Sequence, residues 1–182
     1  RNWEYYWVLD PIDGTKEFIK GEIDYTINVA LCKNDYPVFG VVVAPAIGDI
    51  YYALRGKGAF KNNSKLKQNK KLKKHIRVLV SKSHVNKKTN EYIRDLQKIN
   101  DVEIIEMGSS LKICSVAENN ADLYPRLGRT MEWDTCAAQI ILEEAEGKVL
   151  EKNSFKSLSY NKKSLDNSEF IAFNKEMLKI YT

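Results

Sequence analysis

The first third of the chain is dense in short apolar runs bounded by turn-forming residues. "YYWVLD" (5–10), "YTINVALC" (25–32), "PVFGVVVAP" (37–45) and "DIYYAL" (49–54) are rich in β-branched and aromatic residues and are separated by Gly, Pro, Asn and Asp. Each reads as a strand, and the short connections favour antiparallel neighbours. From residue 75 the pattern alternates. "HIRVLVS" reads as a strand, "NKKTNEYIRDLQKI" as a helix with Tyr92, Ile93, Leu96 and Ile99 at helical spacing, and "VEIIEM" as a strand. "SSLKICSVAENN" is a helix opening on Ser109 and Ser110, followed by a short strand around "ADLY". "WDTCAAQIILEEAEG" is a further helix with Ala137, Ile140, Ile141 and Ala145 on one face and Gly147 as its stop, and "FIAFN" and "EMLKIY" close the chain as strand and helix. The elements predict an α+β protein in stacked layers. Its N-terminal lobe is expected to occupy 1–75 and its C-terminal α/β lobe 76–182, the two forming one functional unit.

Composition narrows this. With 182 residues and 43% apolar content the chain can bury a substantial core. No apolar run approaches the roughly 20 residues that cross a bilayer, and "RNWEYYWVLD" lacks the plan of a signal peptide, so a cytoplasmic protein is expected. The chain begins without methionine and reaches a strand within ten residues, which suggests that an upstream segment is missing. Cys32, Cys114 and Cys136 show none of the paired spacings of zinc sites or redox dithiols and read as buried, reduced thiols.

Charge is local. Of the net +5, the segment Lys61–Lys74 supplies seven lysines and no acid, so the rest of the chain holds 22 basic and 24 acidic residues, a net of −2. The run lacks the interleaved arginines and aromatics of a nucleic-acid surface and reads as a solvated, mobile loop, so no nucleic-acid partner is expected. Its charge leaves room for attraction to anionic substrates or for peripheral contact with the inner membrane.

The chemistry starts at "WVLDPIDGTKEF" (7–18). Pro11 cannot donate a backbone hydrogen bond and biases Asp10 to an extended shape, so the strand is expected to end there. Asp at the first position and Pro at the second match a type I β-turn over Asp10–Asp13, which holds the two Cα atoms within about 7 Å. Like charges about 5 Å apart repel by roughly 3 kcal/mol at an effective dielectric near 20, and a cation removes that cost. Oxygen-only ligands suit hard ions such as Mg²⁺. Gly14 permits close backbone approach and Thr15 offers a hydroxyl, so a phosphate fits beside them. Taken alone, the stretch is weak evidence, since such turns are mostly plain punctuation. A third carboxylate, Asp134, lies in the first turn of the "EWDTCAAQ" helix, where its alternative role is to cap the helix end.

The two stretches together resemble the paired signatures of the Mg²⁺-dependent, lithium-sensitive phosphatases, the family of inositol monophosphatase and fructose-1,6-bisphosphatase. Within it, "DPIDGTKEF", "SKSH", "GSSLKIC" and "ADLYPRLGRTMEWDT" most resemble the 3′(2′),5′-bisphosphate nucleotidases of the CysQ type. The resemblance implies a layered αβαβα sandwich with two or three Mg²⁺ ions between its lobes. It implies Asp10, the Ile12 carbonyl, Asp13 and Asp134 as metal ligands, with Asp13 and Thr15 catalytic and Thr15 positioning the attacking water. Ile12, Gly14, Thr15 and Asp134 would also meet the substrate, and His84, Ser109, Lys112 and Arg126 would line the nucleotide site.

Some of these residues have a direct physical reading. A Gly-Ser-Ser helix start offers N–H groups to an anion with Lys112 one turn in, and Arg126 can fork onto a second phosphate. Against that, Ser109 can serve as a cap, and His84 and Lys112 as plain solvated residues. Glu146 and Gly147 stand where the family has Gly-Gly, which should alter only the helix exit. The family's glutamate-bearing upstream segment, a further metal ligand, is not in the chain, so a protein beginning at Arg1 is expected to show little or no activity.

The reaction implied is removal of the 3′-phosphate of 3′-phosphoadenosine 5′-phosphate, giving AMP and phosphate. The alternatives are an inositol or sugar phosphate substrate, or a non-catalytic nucleotide- or RNA-binding protein that uses the lysine run.

Overall fold

The computed structural model describes residues 2–68, 74–83 and 86–181. Six strands form a first sheet: β1 Tyr5–Asp13, β2 Thr26–Lys33, β3 Tyr36–Ala44, β4 Asp49–Leu54, β5 Gly58–Lys61 and β6 Ser64–Lys65. They run in sequence order as an antiparallel meander, as their short connections require. A one-turn helix, α1 Thr15–Ile19, sits between β1 and β2.

A second sheet holds β7 Ile76–Ser81, β8 Val102–Met107, β9 Leu123–Arg126, β10 Lys148–Glu151 and β11 Phe170–Phe173 in the order β10-β11-β9-β7-β8. The parallel pair β7/β8 is joined through helix α2 Lys87–Gln97, capped by the Asn86 side chain, which accepts from the Thr89 N–H at 2.9 Å. The remaining helices are α3 Leu111–Ala117, α4 Glu132–Glu144 and α5 Lys175–Tyr181.

Alternation along β7 shows how the layers stack. Leu79 faces one way and joins Ala30, Val42 and Ala53 of the first sheet, Ile113 of α3 and Ile140 of α4 in one core. Val78 and Val80 face the other way and join Ile93 and Leu96 of α2 and Met177 of α5. The order is therefore first sheet, α3 with α4, second sheet, α2 with α5: an α+β layered sandwich. Beyond the first sheet no described residue supplies a helical layer, and Tyr5, Trp7 and Leu9 of β1 stand exposed on that face. No described helix is long and apolar enough to cross a membrane.

Because α4 lies between two sheets, it is buried on nearly every side from Thr135 to Leu142, rather than on the single stripe its apolar spacing suggests. Close approach of α4 to β3 depends on Gly40, where a Cβ would come within 2.5 Å of both the Ala137 carbonyl oxygen and the Ile140 Cγ2. Neither can yield without moving the helix. Gly40→Ala is expected to lower stability by about 3 kcal/mol, read as a fall in the urea midpoint; an unchanged midpoint would refute that packing.

Other elements depart from the sequence reading. The lysine run is not wholly a solvated loop: Lys61 ends β5 and reaches Asp49 at 2.8 Å and Glu118 at 3.1 Å, and Ser64–Lys65 form β6. The part at 69–73 lies outside the described residues. Strand β9 continues past "ADLY" through Pro125 to Arg126. Its one pair with β7 is at Leu123, so the missing N–H of Pro125 breaks no ladder on that side. Ile99 falls beyond the end of α2 and is exposed. Glu146 leaves α4 with φ 71, a left-handed conformation more natural to glycine. The cysteines are buried and unbridged, yet Cys32 and Cys136, distant in sequence, touch at 3.3 Å because α4 lies on β2.

Candidate active site

The strand β1 does not stop at Asp10 in a type I turn, as the sequence suggested. It runs on to Asp13, with Asp10 opposite Asn28 and Asp13 opposite Thr26. Two residues on β1 thus oppose one on β2, a β-bulge. In a regular strand, residues three apart point to opposite faces; one extra residue in between brings them to the same side. Pro11 suits a bulge because it has no ladder bond to lose. The Ile12 N–H is turned back to Asp10 Oδ1 at 3.1 Å. The two carboxylates converge as expected, by a different backbone device.

Next comes Gly14 with φ 84, followed by α1. Thr15 opens that helix, and its hydroxyl donates to the Ile12 carbonyl at 3.1 Å. A Cβ on Gly14 would lie 2.9 Å from the Asp24 carbonyl oxygen and 3.3 Å from the Ser109 Cβ, so residue 14 is wedged between two loops.

The third carboxylate comes from α4. Asp134 is the third residue of the helix, and its Oδ2 accepts from the Met131 N–H at 2.8 Å. The capping role and the site role are thus one geometry: the bond that finishes the helix end also fixes the carboxylate. One oxygen each from Asp10, Asp13 and Asp134 lie within 4.8 Å of one another. Burial raises the affinity of all three for a proton. For Asp10 and Asp134 the bonded N–H is the next largest influence and opposes this, while neighbouring carboxylates add to it. For Asp13 the chief opposing charge is Lys112. Asp134 is pushed up to about 6. Clustered carboxylate oxygens whose charge is disfavoured by burial and by one another are a donor set suited to a hard divalent cation.

Asp13 and Asp134 line one cleft together with Gly14, Thr15, Ser109, Lys112, Arg126 and Arg129. Lys112 is not solvated: it is 4% exposed, donates to the Ser109 and Met107 carbonyls at 2.6 and 3.3 Å, and burial lowers its pKa to about 8. Arg126 lies at the end of β9 and donates to the Arg129 carbonyl at 3.0 Å.

One expectation needs correcting. The helix α3 starts at Leu111, not Ser109, which takes φ 45 in the preceding turn, and the Ser110 N–H is given to Asp13 Oδ2 at 2.6 Å instead of being left for an anion. His84 lies outside the described residues.

The sequence reading passed over Asn28 and Thr26 and placed Ser110 only at the helix start. Ser110 Oγ donates to Asn28 Oδ1 at 2.8 Å and meets Thr26 Oγ1 at 2.8 Å, so a buried polar triad holds the residue that holds Asp13. The only sequence signal was polar residues at two inward positions of an otherwise apolar strand, Thr26 and Asn28 in "TINVALC".

The inositol monophosphatase family profile matches residues 1–179. The chain is 42% identical over 143 residues to the 3′(2′),5′-bisphosphate nucleotidase CysQ of Salmonella typhimurium, covering 78% of this chain and 56% of the relative. It is 40% identical over 147 residues to the protein of the same name from Escherichia coli K12, covering 80% of this chain and 58% of the relative. Among solved structures, CysQ from Bacteroides thetaiotaomicron, described as a bacterial member of the inositol monophosphatase family, superposes with a TM-score of 0.89 at 39% identity over 96% of this chain and 72% of that one. The chain spans less than two thirds of the length of the two curated relatives.

Proposed function

Since the chain belongs to the inositol monophosphatase family, we propose that it is the larger part of a cytoplasmic, Mg²⁺-dependent phosphomonoesterase that removes the 3′-phosphate of 3′-phosphoadenosine 5′-phosphate, giving AMP and phosphate. The observation that carries this reading is the convergence of Asp10, Asp13 and Asp134, the last two lining one cleft with Lys112 and Arg126. Such an arrangement matches a substrate with phosphate at both ends of its sugar. The names of the relatives, 3′(2′),5′-bisphosphate nucleotidase, support that substrate class.

In this reading Asp10, Asp13, Asp134 and the Ile12 carbonyl would hold the metal. When bound, such ions supply acidification of water and neutralisation of charge on the leaving oxygen. The remaining work is positioning and electrostatics by the chain. Thr15 is tied through its hydroxyl to the Ile12 carbonyl and so stands beside the cluster, where it orients the attacking water. Gly14 and Thr15 meet the reacting phosphate. Lys112, held at the Ser109 carbonyl, places positive charge on the same cleft, and Arg126 grips the second phosphate.

Phosphate release from 3′-phosphoadenosine 5′-phosphate and from inositol phosphate, with Mg²⁺ present or chelated, tests the proposal on the full gene product. Mg²⁺-dependent release with preference for the nucleotide is expected. Equal turnover of both would refute the substrate, and no release at all would refute the activity. Arg126→Ala is expected to lower kcat/KM for the bisphosphate nucleotide by about 10- to 100-fold while leaving the monophosphate substrate nearly untouched. Equal losses on both would argue against a second-phosphate role.

A further inference from the structure

The backbone at Met131 and the hydroxyl of Thr135, on either side of Asp134, are bonded by a residue that lies 33 positions beyond Asp134, in the loop that leads into β11. That loop runs beside the entry to α4. The Glu132 N–H donates to the Leu165 carbonyl at 2.9 Å, Met131 and Asp166 form an isolated antiparallel bridge, and the Asn167 N–H donates to the Thr130 carbonyl at 2.9 Å. Asn167 is 9% exposed, and its side-chain nitrogen reaches three acceptors: the Met131 carbonyl at 2.7 Å, Thr135 Oγ1 at 3.0 Å and Thr130 Oγ1 at 3.2 Å. These acceptors bracket Asp134 on both sides in sequence. Met131 is also the residue whose N–H donates to Asp134 Oδ2, and its carbonyl accepts the Asp134 N–H at 3.1 Å.

We infer that Asn167 is a positioning residue for the Asp134 carboxylate, fixing the backbone at Met131 and Thr135 so that the carboxylate points at Asp10 and Asp13. The inference rests on the reading of those three carboxylates as a metal site. An amide is the side chain the place requires, since its nitrogen can serve two or more acceptors at once. A carboxylate there would set oxygen against the Met131 carbonyl. An apolar residue would remove the donor that ties Thr130, Met131 and Thr135 to this loop, although the Met131 carbonyl keeps the Asp134 N–H and the Thr135 hydroxyl keeps Tyr160. Groups that orient a ligand from behind typically matter by about 10- to 100-fold in metal affinity.

The backbone bond from residue 167 to Thr130 survives any substitution but proline, so Asn167→Ala and Asn167→Asp should keep the loop paired and the protein folded. The test is Mg²⁺ binding by isothermal titration calorimetry, alongside thermal unfolding. Both variants are expected to bind Mg²⁺ about 10-fold more weakly, with the half-saturating Mg²⁺ for activity rising in step and kcat at saturating Mg²⁺ changing far less.

Ile93→Ala, on the outer layer between α2 and the second sheet, serves as a control that loses stability without touching the site. Unchanged Mg²⁺ affinity in both Asn167 variants, or an equal loss in the control, would overturn the inference. If the parent protein binds no Mg²⁺, the metal reading and the inference fall together. If it binds Mg²⁺ but releases no phosphate, and the Asn167 variants still bind it more weakly, the function falls and the positioning role stands.

Discussion

Asp134→Asn is expected to abolish Mg²⁺-dependent phosphate release, by more than about 100-fold given that residues merely supporting a ligand already cost 10- to 100-fold, while making the metal-free protein more stable at pH 7. The second half of the result follows from the titration of the group. In the fold its pKa is about 6, against an ordinary 3.8, because burial and the Asp13 charge disfavour the anion. A carboxyl with a raised pKa favours the fold fully only below its unfolded value. That contribution is lost as pH climbs from about 4 to about 6, so at pH 7 the anion is a standing penalty of roughly 2–3 kcal/mol.

Asparagine keeps an oxygen for the Met131 N–H and carries no charge. The metal-free variant should therefore melt roughly 5 °C higher than the parent at pH 7 and show little difference at pH 4. Mg²⁺ should reverse the order once it is present at about 1,000 times its Kd, where it stabilises only the protein able to bind it, by about 4.1 kcal/mol. Paired melting curves at the two pH values, with Mg²⁺ or chelator, read all of this. A metal-free variant less stable than the parent at pH 7 would refute the charge penalty, and a variant that keeps Mg²⁺-dependent release would show that Asp134 is a structural cap and no more.

Gly14→Ala is the second change expected to have a large effect. At φ 84 a Cβ costs roughly 1–2 kcal/mol by backbone strain alone. The added carbon would also sit 2.9 Å from the Asp24 carbonyl oxygen and 3.3 Å from the Ser109 Cβ, backbone and a short side chain that cannot swing aside. Residue 14 joins the bulge that presents Asp13 to the helix that begins with Thr15, so relief of the clash must displace one or the other. A shift of about 1 Å in a positioning group can cost on the order of 100-fold in turnover. We expect that loss in kcat with a melting temperature only a few degrees lower. Near-normal kcat in a folded Gly14→Ala protein would show that the Gly-Thr pair does not set the reacting geometry.

The strands β1 to β4 and the helices α2 and α4 were legible because each carries its own period: alternation or β-branched density in the first sheet, a 3.6-residue stripe in α2, and an apolar run with a polar start and a glycine stop in α4. Strands β5, β6 and β10 were not, since "GAFK", "SK" and "KVLE" are two to four residues long and become strands only by pairing with a neighbour. The end of β1 was misjudged for a related reason. Proline after Asp10 argues locally for a stop, but the ladder with β2 resumes at Thr26 and carries the strand to Asp13 as a bulge. Local chemistry marked the irregularity, and the partner strand decided its form.

For the site, sequence by itself determined which residues are the candidates for the chemistry. Two aspartates around a proline, a glycine-threonine pair and a distant aspartate at a helix start have few common uses, and the pairing of the stretches singled out a phosphatase family. What only tertiary structure decided is how those groups are held. Ser110 reaches Asp13 across 97 positions, Asn28 reaches Ser110 across 82, and Asn167 reaches Met131 across 36. Apart from the polar inward positions of β2, these partners carry no local signature, because a buried hydrogen bond is specified by where two elements meet and not by the residues on either side of each group. Donor types are a property of the chain; the convergence of three carboxylates within 4.8 Å is a property of the layers that press β1, α3 and α4 together.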